Sequence, residues 1–274
     1  MTIVFRALSF LPLFTLHALG AVLGWLVFLS SKTYRQRFMA NATQAGLGLA
    51  EILPAVASAG RLVAELPRLW MGRAVVIHWQ GEQHIEQALQ AGRGIVFLTP
   101  HLGCFEVTAQ AYAQRYGQHG KPMTVLFRPP RKHWLGRLVG AARQRPGLYT
   151  APASLAGVKQ MLKALKNGEC VGVLPDQVPP NHQGLWTPFF GKPAYTMTLS
   201  ARLAHQTGAT ILIAWGERLA WGRGYTVHVA PLEGLLSDDL GRATEQINHA
   251  MESLIAQCPT QYLWAYDRYK QPRD

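Results

Sequence analysis

Apolar and polar positions divide the chain into two regimes. From Ala7 to Ser31 the stretch ALSFLPLFTLHALGAVLGWLVFLSS runs 25 residues without Asp, Glu, Lys or Arg. As a helix it is about 37 Å long at 1.5 Å per residue, enough to cross a hydrocarbon core of about 30 Å. Pro12 sits near its start, where a helix tolerates it best, and His17 is a modest cost. The following KTYRQR carries Lys32, Arg35 and Arg37 against Arg6 alone before the span, so the positive-inside rule places residues 32 onward in the cytoplasm. Two other readings stay open: a cleaved leader, for which no clear small-residue cleavage site stands out, and a helix lying in the interface or packed on the protein. Residues 35–73 predict helix, with interruptions at Pro54 and Pro67.

Beyond residue 74 the pattern changes to short apolar runs alternating with amphipathic ones. VVIHW (75–79), GIVFLT (94–99), MTVLF (123–127), ECVGVLP (169–175), ATILIAW (209–215) and YTVHVAPL (225–232) predict strands. Helices are predicted over 84–92, from the residues after PHLG to Gly117, and over 133–144, 154–168, 196–208 and 238–258. Ser154 is placed to cap its helix and Asn167-Gly168 to stop it. Strands and helices taking turns imply an α/β fold, a layered and mostly parallel sheet flanked by helices. With no repeat, low-complexity tract or linker after residue 74, the expected domains are an anchor helix over 1–31, a helical segment over 32–74 and a catalytic domain over 75–274.

Composition sharpens this. Hydrophobic residues make up 49% and charged residues only 15%, an apolar balance that points to membrane contact. The net charge of +12 calls for an acidic partner. It is concentrated: Val107 to Gly168 contains no Asp or Glu but eleven cations, namely Arg115, Lys121, Arg128, Arg131, Lys132, Arg137, Arg143, Arg145, Lys159, Lys163 and Lys166. A mixed-sign solvated surface would not be so one-sided. The sequence has no zinc spacing, no aromatic RNA-binding pattern and no obvious helix-turn-helix, which argues against nucleic acid. Three cysteines without CxxC spacing argue against a disulfide framework.

Ligands of open α/β sheets bind beyond the carboxyl ends of strands. GIVFLT runs into PHLGCFE, with His101 and Glu106; MTVLF runs into Arg128; ECVGVLP runs into Asp176-Gln177. A hydroxyl nucleophile needs a proton acceptor titrating near working pH, which His101 supplies, and Glu106 on its other ring nitrogen would fix the tautomer. The competing reading makes His101 a helix cap and Glu106 a carboxylate favoured by the helix dipole. A Cys104-His-Glu nucleophilic set is discounted, because such sets are usually assembled from distant residues.

GIVFLTPHLGCFE resembles the HxxxxE block of bacterial lysophospholipid acyltransferase-like proteins, most of all the late acyltransferases of lipid A biosynthesis. VLFRPP (125–130), GVKQMLKALKNGECVGVLPDQ (157–177), TPFFGKPAYTMT (187–198) and QYLWAYDRYK (261–270) are similar to four further blocks in the same order. The departures are Cys104-Phe105, where Asn-Trp is common, and Val178-Pro179-Pro180 after the PDQ. The resemblance implies a glycerolipid acyltransferase-like fold and a membrane-bound enzyme of lipopolysaccharide synthesis. That enzyme would move an acyl chain from acyl carrier protein, or from coenzyme A, to a hydroxyl of a lipid A precursor. It further implies His101 as general base, Glu106 as its orienter, and Arg128 gripping acceptor phosphate or the developing oxyanion. Asp176 and Gln177 would shape the acceptor site, with Phe189, Phe190 and Gly191 as its neighbouring wall. No cofactor, no metal and no acyl-enzyme intermediate are expected. The expected partners are acyl carrier protein, anionic lipid and the membrane, at the cytoplasmic face of a bacterial inner membrane. A lysophospholipid or other glycolipid acyltransferase, and a basic membrane-binding or nucleic-acid-binding protein without catalysis, are the alternatives.

Overall fold

In a computed structural model describing residues 2–127 and 145–273, the alternating part of the chain forms a seven-stranded sheet. In chain order the strands are β1 (Ile77–Gln80), β2 (Ile95–Leu98), β3 (Met123–Phe127), β4 (Leu148–Pro152), β5 (Cys170–Val173), β6 (Gly184–Phe189), β7 (Lys192–Met197), β8 (Thr210–Arg218) and β9 (Tyr225–Pro231). The sheet order is β1-β9-β8-β2-β5-β3-β4, parallel at every pairing except β8 with β9; β6 and β7 form a separate antiparallel hairpin. The central strands IVFL and CVGV are buried at every position, as apolar runs covered on both faces must be.

Helices α1 (Thr2–Leu8), α2 (Leu13–Ser30), α3 (Lys32–Gln44) and α4 (Leu49–Met71) precede the sheet. Helices α5 (Glu82–Ala91), α6 (Phe105–Arg115), α7 (Leu155–Lys166), α8 (Leu199–Thr207) and α9 (Leu240–Gln257) cover it. One core cluster joins Met161 and Leu165 of α7, Leu203 of α8 and Ile247 of α9 to one side; the other joins Ile85 of α5 and Val107 and Tyr112 of α6. Phe38 of α3 and Ile52 and Val56 of α4 belong to the first cluster, so the helical segment shares the sheet's core.

Two expectations are corrected and two elements are added. Pro54 and Pro67 lie inside α4 without ending it. Close packing on α2 holds the helix despite the lost backbone bonds: a Cβ on Gly60 would stand 1.9 Å from the carbonyl oxygen of Gly20, and one on Gly24 2.2 Å from that of Val56. Residues 196–197 close β7, and the following helix starts only at Leu199. The short strand β4 and the β6–β7 hairpin were not predicted, because prolines at 152, 188 and 193 break the apolar alternation. The helix expected over 133–144 lies outside the described residues.

Helix α2 is apolar on every side yet buries one stripe, Leu13, Leu16, His17, Gly20, Gly24 and Phe28. Its outward residues Phe14, Leu19, Val22, Leu23, Leu26 and Leu29 are exposed.

Candidate active site

Register builds the site. Strands β2 and β5 are parallel neighbours with Leu98 opposite Val173. Each then runs through two residues, Thr99-Pro100 and Leu174-Pro175, so His101 and Asp176 emerge at matching positions. Asp176 Oδ1 lies 2.7 Å from His101 Nδ1, and its Oδ2 accepts the backbone N–H of His101 at 2.8 Å. The Asp176 side chain is 1% exposed, that of His101 16%. Burial alone would push the Asp176 carboxyl up, but the charge of His101, its ring and backbone hydrogen bonds and nearby Arg268 together bring it below the usual carboxylate range. An ionised Asp176 accepts a proton on Nδ1, which leaves the lone pair on Nε2. The Gln177 side-chain nitrogen stands 3.1 Å from that Nε2, in position to donate to it. Phe105 packs edge-on against the imidazole, with centroids 4.8 Å apart.

Gly103 permits the turn between His101 and α6. Its φ is +60°, and a Cβ there would stand 2.0 Å from the carbonyl oxygen of Gly216. The closing segment holds the same turn: Gly103 N–H donates to Gln261 O at 3.0 Å, and Leu263 N–H to His101 O at 3.2 Å.

The expected pairing of Glu106 with His101 is corrected, because Asp176 occupies Nδ1. Helix α6 begins at Phe105, whose ring meets the imidazole, and Glu106 is buried in its first turn. There it accepts the Trp70 indole N–H at 3.4 Å. Its charge also acts on Arg145, which donates to the carbonyls of Leu69 and Trp70. Asp176, expected to shape the acceptor site, instead holds the His101 ring, and Gln177 faces the ring's other edge.

Phe190 and Gly191 form the two-residue turn between β6 and β7, with φ of 47° and 72°. Phe190 is fixed by its N–H to Glu252 Oε1 and by Gln44 Nε2 donating to its carbonyl, both at 2.7 Å. Phe189 is buried beneath the Arg268 guanidinium, 4.8 Å from its ring centroid. These residues back the site through Arg268; their aromatic contacts run to each other and Trp264, not to His101. Arg128 lies outside the described residues, as do Arg131, Lys132, Arg137 and Arg143. Of the other cations in the acid-free stretch, Arg115 pairs with Glu82 at 2.7 Å, while Lys159, Lys163 and Lys166 form an exposed stripe on α7. Cys104 is fully buried, and burial, reinforced by Glu65, raises its thiol well above the ordinary value, so no thiolate nucleophile forms there.

Beside His101 an apolar cavity opens between α6 and the sheet, lined by Phe97, Thr99, Phe105, Tyr112, Trp79 on β1 and Leu174 just past β5. Sequence reasoning missed a second ionic cluster behind the Gly103 turn. Arg218 grips Glu65 with Nη2–Oε1 2.6 Å and Nε–Oε2 2.7 Å, and Tyr225 and His17 also bond Oε2. The available signal was lone charges inside apolar runs.

A family model for bacterial lipid A biosynthesis acyltransferase matches residues 1–271. The chain is 27% identical over 194 residues to a lipid A biosynthesis acyltransferase of Haemophilus influenzae, covering 71% of this chain and 59% of that one. It is 26% identical over 250 residues to a lipid A biosynthesis lauroyltransferase of Escherichia coli, covering 88% and 74%. It is also 27% identical over 187 residues to a phosphatidylinositol mannoside acyltransferase of Mycobacterium tuberculosis, covering 66% and 56%.

Proposed function

The chain belongs to the bacterial lipid A biosynthesis acyltransferase family, and from that premise we propose that it transfers a fatty acyl chain from an acyl thioester to a hydroxyl of a lipid A precursor or related glycolipid. The observation that carries the reading is the His101–Asp176 pair at the carboxyl ends of β2 and β5, with Nδ1 held and Nε2 at the open edge. Asp176 keeps the proton on Nδ1. The acceptor hydroxyl displaces the Gln177 amide from Nε2 and gives up its proton there as its oxygen attacks the thioester carbonyl. The tetrahedral oxyanion collapses, the carbon–sulfur bond breaks, and the imidazolium returns the proton to the departing thiolate. Arg128, by the family resemblance, holds acceptor phosphate or the oxyanion. The apolar cavity beside Thr99 and Phe105 would have to widen to take an acyl chain, and its lining suits one. The exposed lysine stripe of α7 suits an anionic donor, an acidic carrier protein or coenzyme A.

The outward face of α2 is the membrane contact. A helix apolar all round but buried along one stripe has no aqueous environment for the rest. Because Gly20 and Gly24 are pressed onto α4 and His17 bonds Glu65, α2 is fixed to the domain, and it rests its outward face in the bilayer surface.

The relative named for phosphatidylinositol mannoside favours keeping other glycolipid acceptors in the test. The full chain is incubated with radiolabelled acyl carrier protein or coenzyme A thioesters and with lipid A precursor, glycolipid or lysophospholipid acceptors. Transfer to a saccharide lipid, at least about 100-fold lower in His101→Ala with the fold retained, is the expected result. Undiminished transfer in His101→Ala sinks the mechanism.

A further inference from the structure

The turn joining β8 to β9 holds a second apolar feature outside the helix. Trp221 is 84% exposed, and its backbone sits in the left-handed region at φ 59°, ψ 23°, where a bulky residue is strained. It is carried close to the beginning of α2. A Cβ on the next residue, Gly222, would stand 2.3 Å from the backbone nitrogen of Phe14. Phe14 is itself 57% exposed, and Phe10, just ahead of α2, is 70% exposed. Arg223, also exposed, adds a cation beside them.

We propose that this turn is a second lipid contact, in which Trp221 enters the headgroup boundary of a bilayer beside Phe10 and Phe14. The proposal rests on α2 being the membrane face. Three features favour lipid over a second copy of the chain. The aromatic rim is continuous with the outward face of α2, whose exposed Phe14, Leu19, Val22, Leu23 and Leu26 offer no hydrogen-bonding side chain, whereas protein interfaces carry about one hydrogen bond per 100–200 Å². The indole combines an apolar body with a single donor, the chemistry concentrated at membrane–water boundaries. Arg223 suits an anionic headgroup.

The test uses the full chain, diluted from detergent into vesicles of zwitterionic lipid with and without anionic lipid, and read by flotation. Trp221→Asn is the informative variant, since Asn accepts the left-handed backbone better than Trp. Its vesicle partitioning is expected to fall about tenfold while its melting temperature holds or rises. A loss of binding with a lower melting temperature would reflect misfolding and overturn the proposal, as would unchanged partitioning. In Trp221→Phe, the fluorescence lost relative to the parent should be quenched by lipids brominated near the headgroup; an unquenched difference also overturns it. Sedimentation without lipid addresses the second copy: a dimer that Trp221→Asn dissociates would assign the rim to self-association. If the parent chain itself does not float, the membrane reading of α2 fails instead.

Discussion

Two carboxylates in this molecule are almost completely buried beside a histidine, and they are used in opposite ways. Glu65 spends both oxygens on several donors: Arg218 takes both in a fork, Tyr225 gives its hydroxyl at 2.9 Å, and His17 approaches to 3.0 Å. Arg218 in turn satisfies Ser58 Oγ at 2.8 Å and the Gly103 carbonyl at 3.2 Å. Burial would raise the Glu65 carboxyl, but the Arg218 charge and these bonds hold it at about 2. Among the described residues, Asp176 directs its two oxygens to the ring and backbone N–H of His101, with Tyr262 and Arg268 close by, and the remaining ring nitrogen faces a displaceable amide. A closed set of donors fixes structure; an open-ended one leaves a ring nitrogen free to act as the proposed base.

The largest effect is expected from opening the closed cluster. Arg218→Met leaves Glu65 buried without its cation, and breaking a buried pair in this way costs about 3–5 kcal/mol. Denaturant titration in detergent measures it. A loss below about 1 kcal/mol would mean that water reaches Glu65 and that the cluster is not closed.

Asp176→Asn comes next. Loss of the orienting carboxylate should lower kcat by about 10²–10⁴-fold, with a smaller stability change than Arg218→Met. Glu106→Gln should cost less in kcat than Asp176→Asn, since Glu106 bonds Trp70 rather than the His101 ring. The reverse ranking would return the orienting role to Glu106.

That reversal would also change how much of the site the sequence disclosed. Short apolar runs announced the sheet, and MTVLF coincides with β3, because buried parallel strands need continuous apolar residues. Ser154 caps α7 as its position implied, its hydroxyl accepting the Gly157 N–H at 3.4 Å. The strand-end rule located His101 and Asp176, yet their pairing depends on the β2–β5 register, which joins residues 75 apart. Proximity in sequence favoured Glu106 instead. His17, read as a cost to a membrane span, is a partner for Glu65, and nothing local to residue 17 could show that residue 65 lies beside it.

Acid titration separates the two carboxylates more gently. Both have folded-state pKa values below their unfolded ones, so each adds stability above about pH 4.5 that is lost as pH falls toward the folded value. Thermal melts between about pH 3 and 7 should therefore fall with acid in the parent chain. In Arg218→Met, Glu65 loses its cation and burial raises its pKa, so its share of the slope should reverse sign. Asp176→Asn should remove only the share belonging to Asp176. An acid slope unaltered by Arg218→Met would mean that other carboxylates dominate.

The smallest effect tests whether the closed cluster communicates with the open one. Tyr225→Phe removes one donor from Glu65 while leaving the Arg218 fork and its bond to the Gly103 carbonyl in place. One hydrogen bond to a charged group contributes about 1.5–3 kcal/mol, and the remaining donors should bring the loss toward the lower figure. Because the Gly103 turn is still held, kcat should stay within about threefold of the parent value, a change of under about 1 kcal/mol in the barrier. A tenfold fall in kcat without a lower melting temperature would show that the cluster does more than hold the fold. It would mean that the strength of the Glu65–Arg218 pair sets where the turn places His101, and that the two carboxylates act on the reaction together.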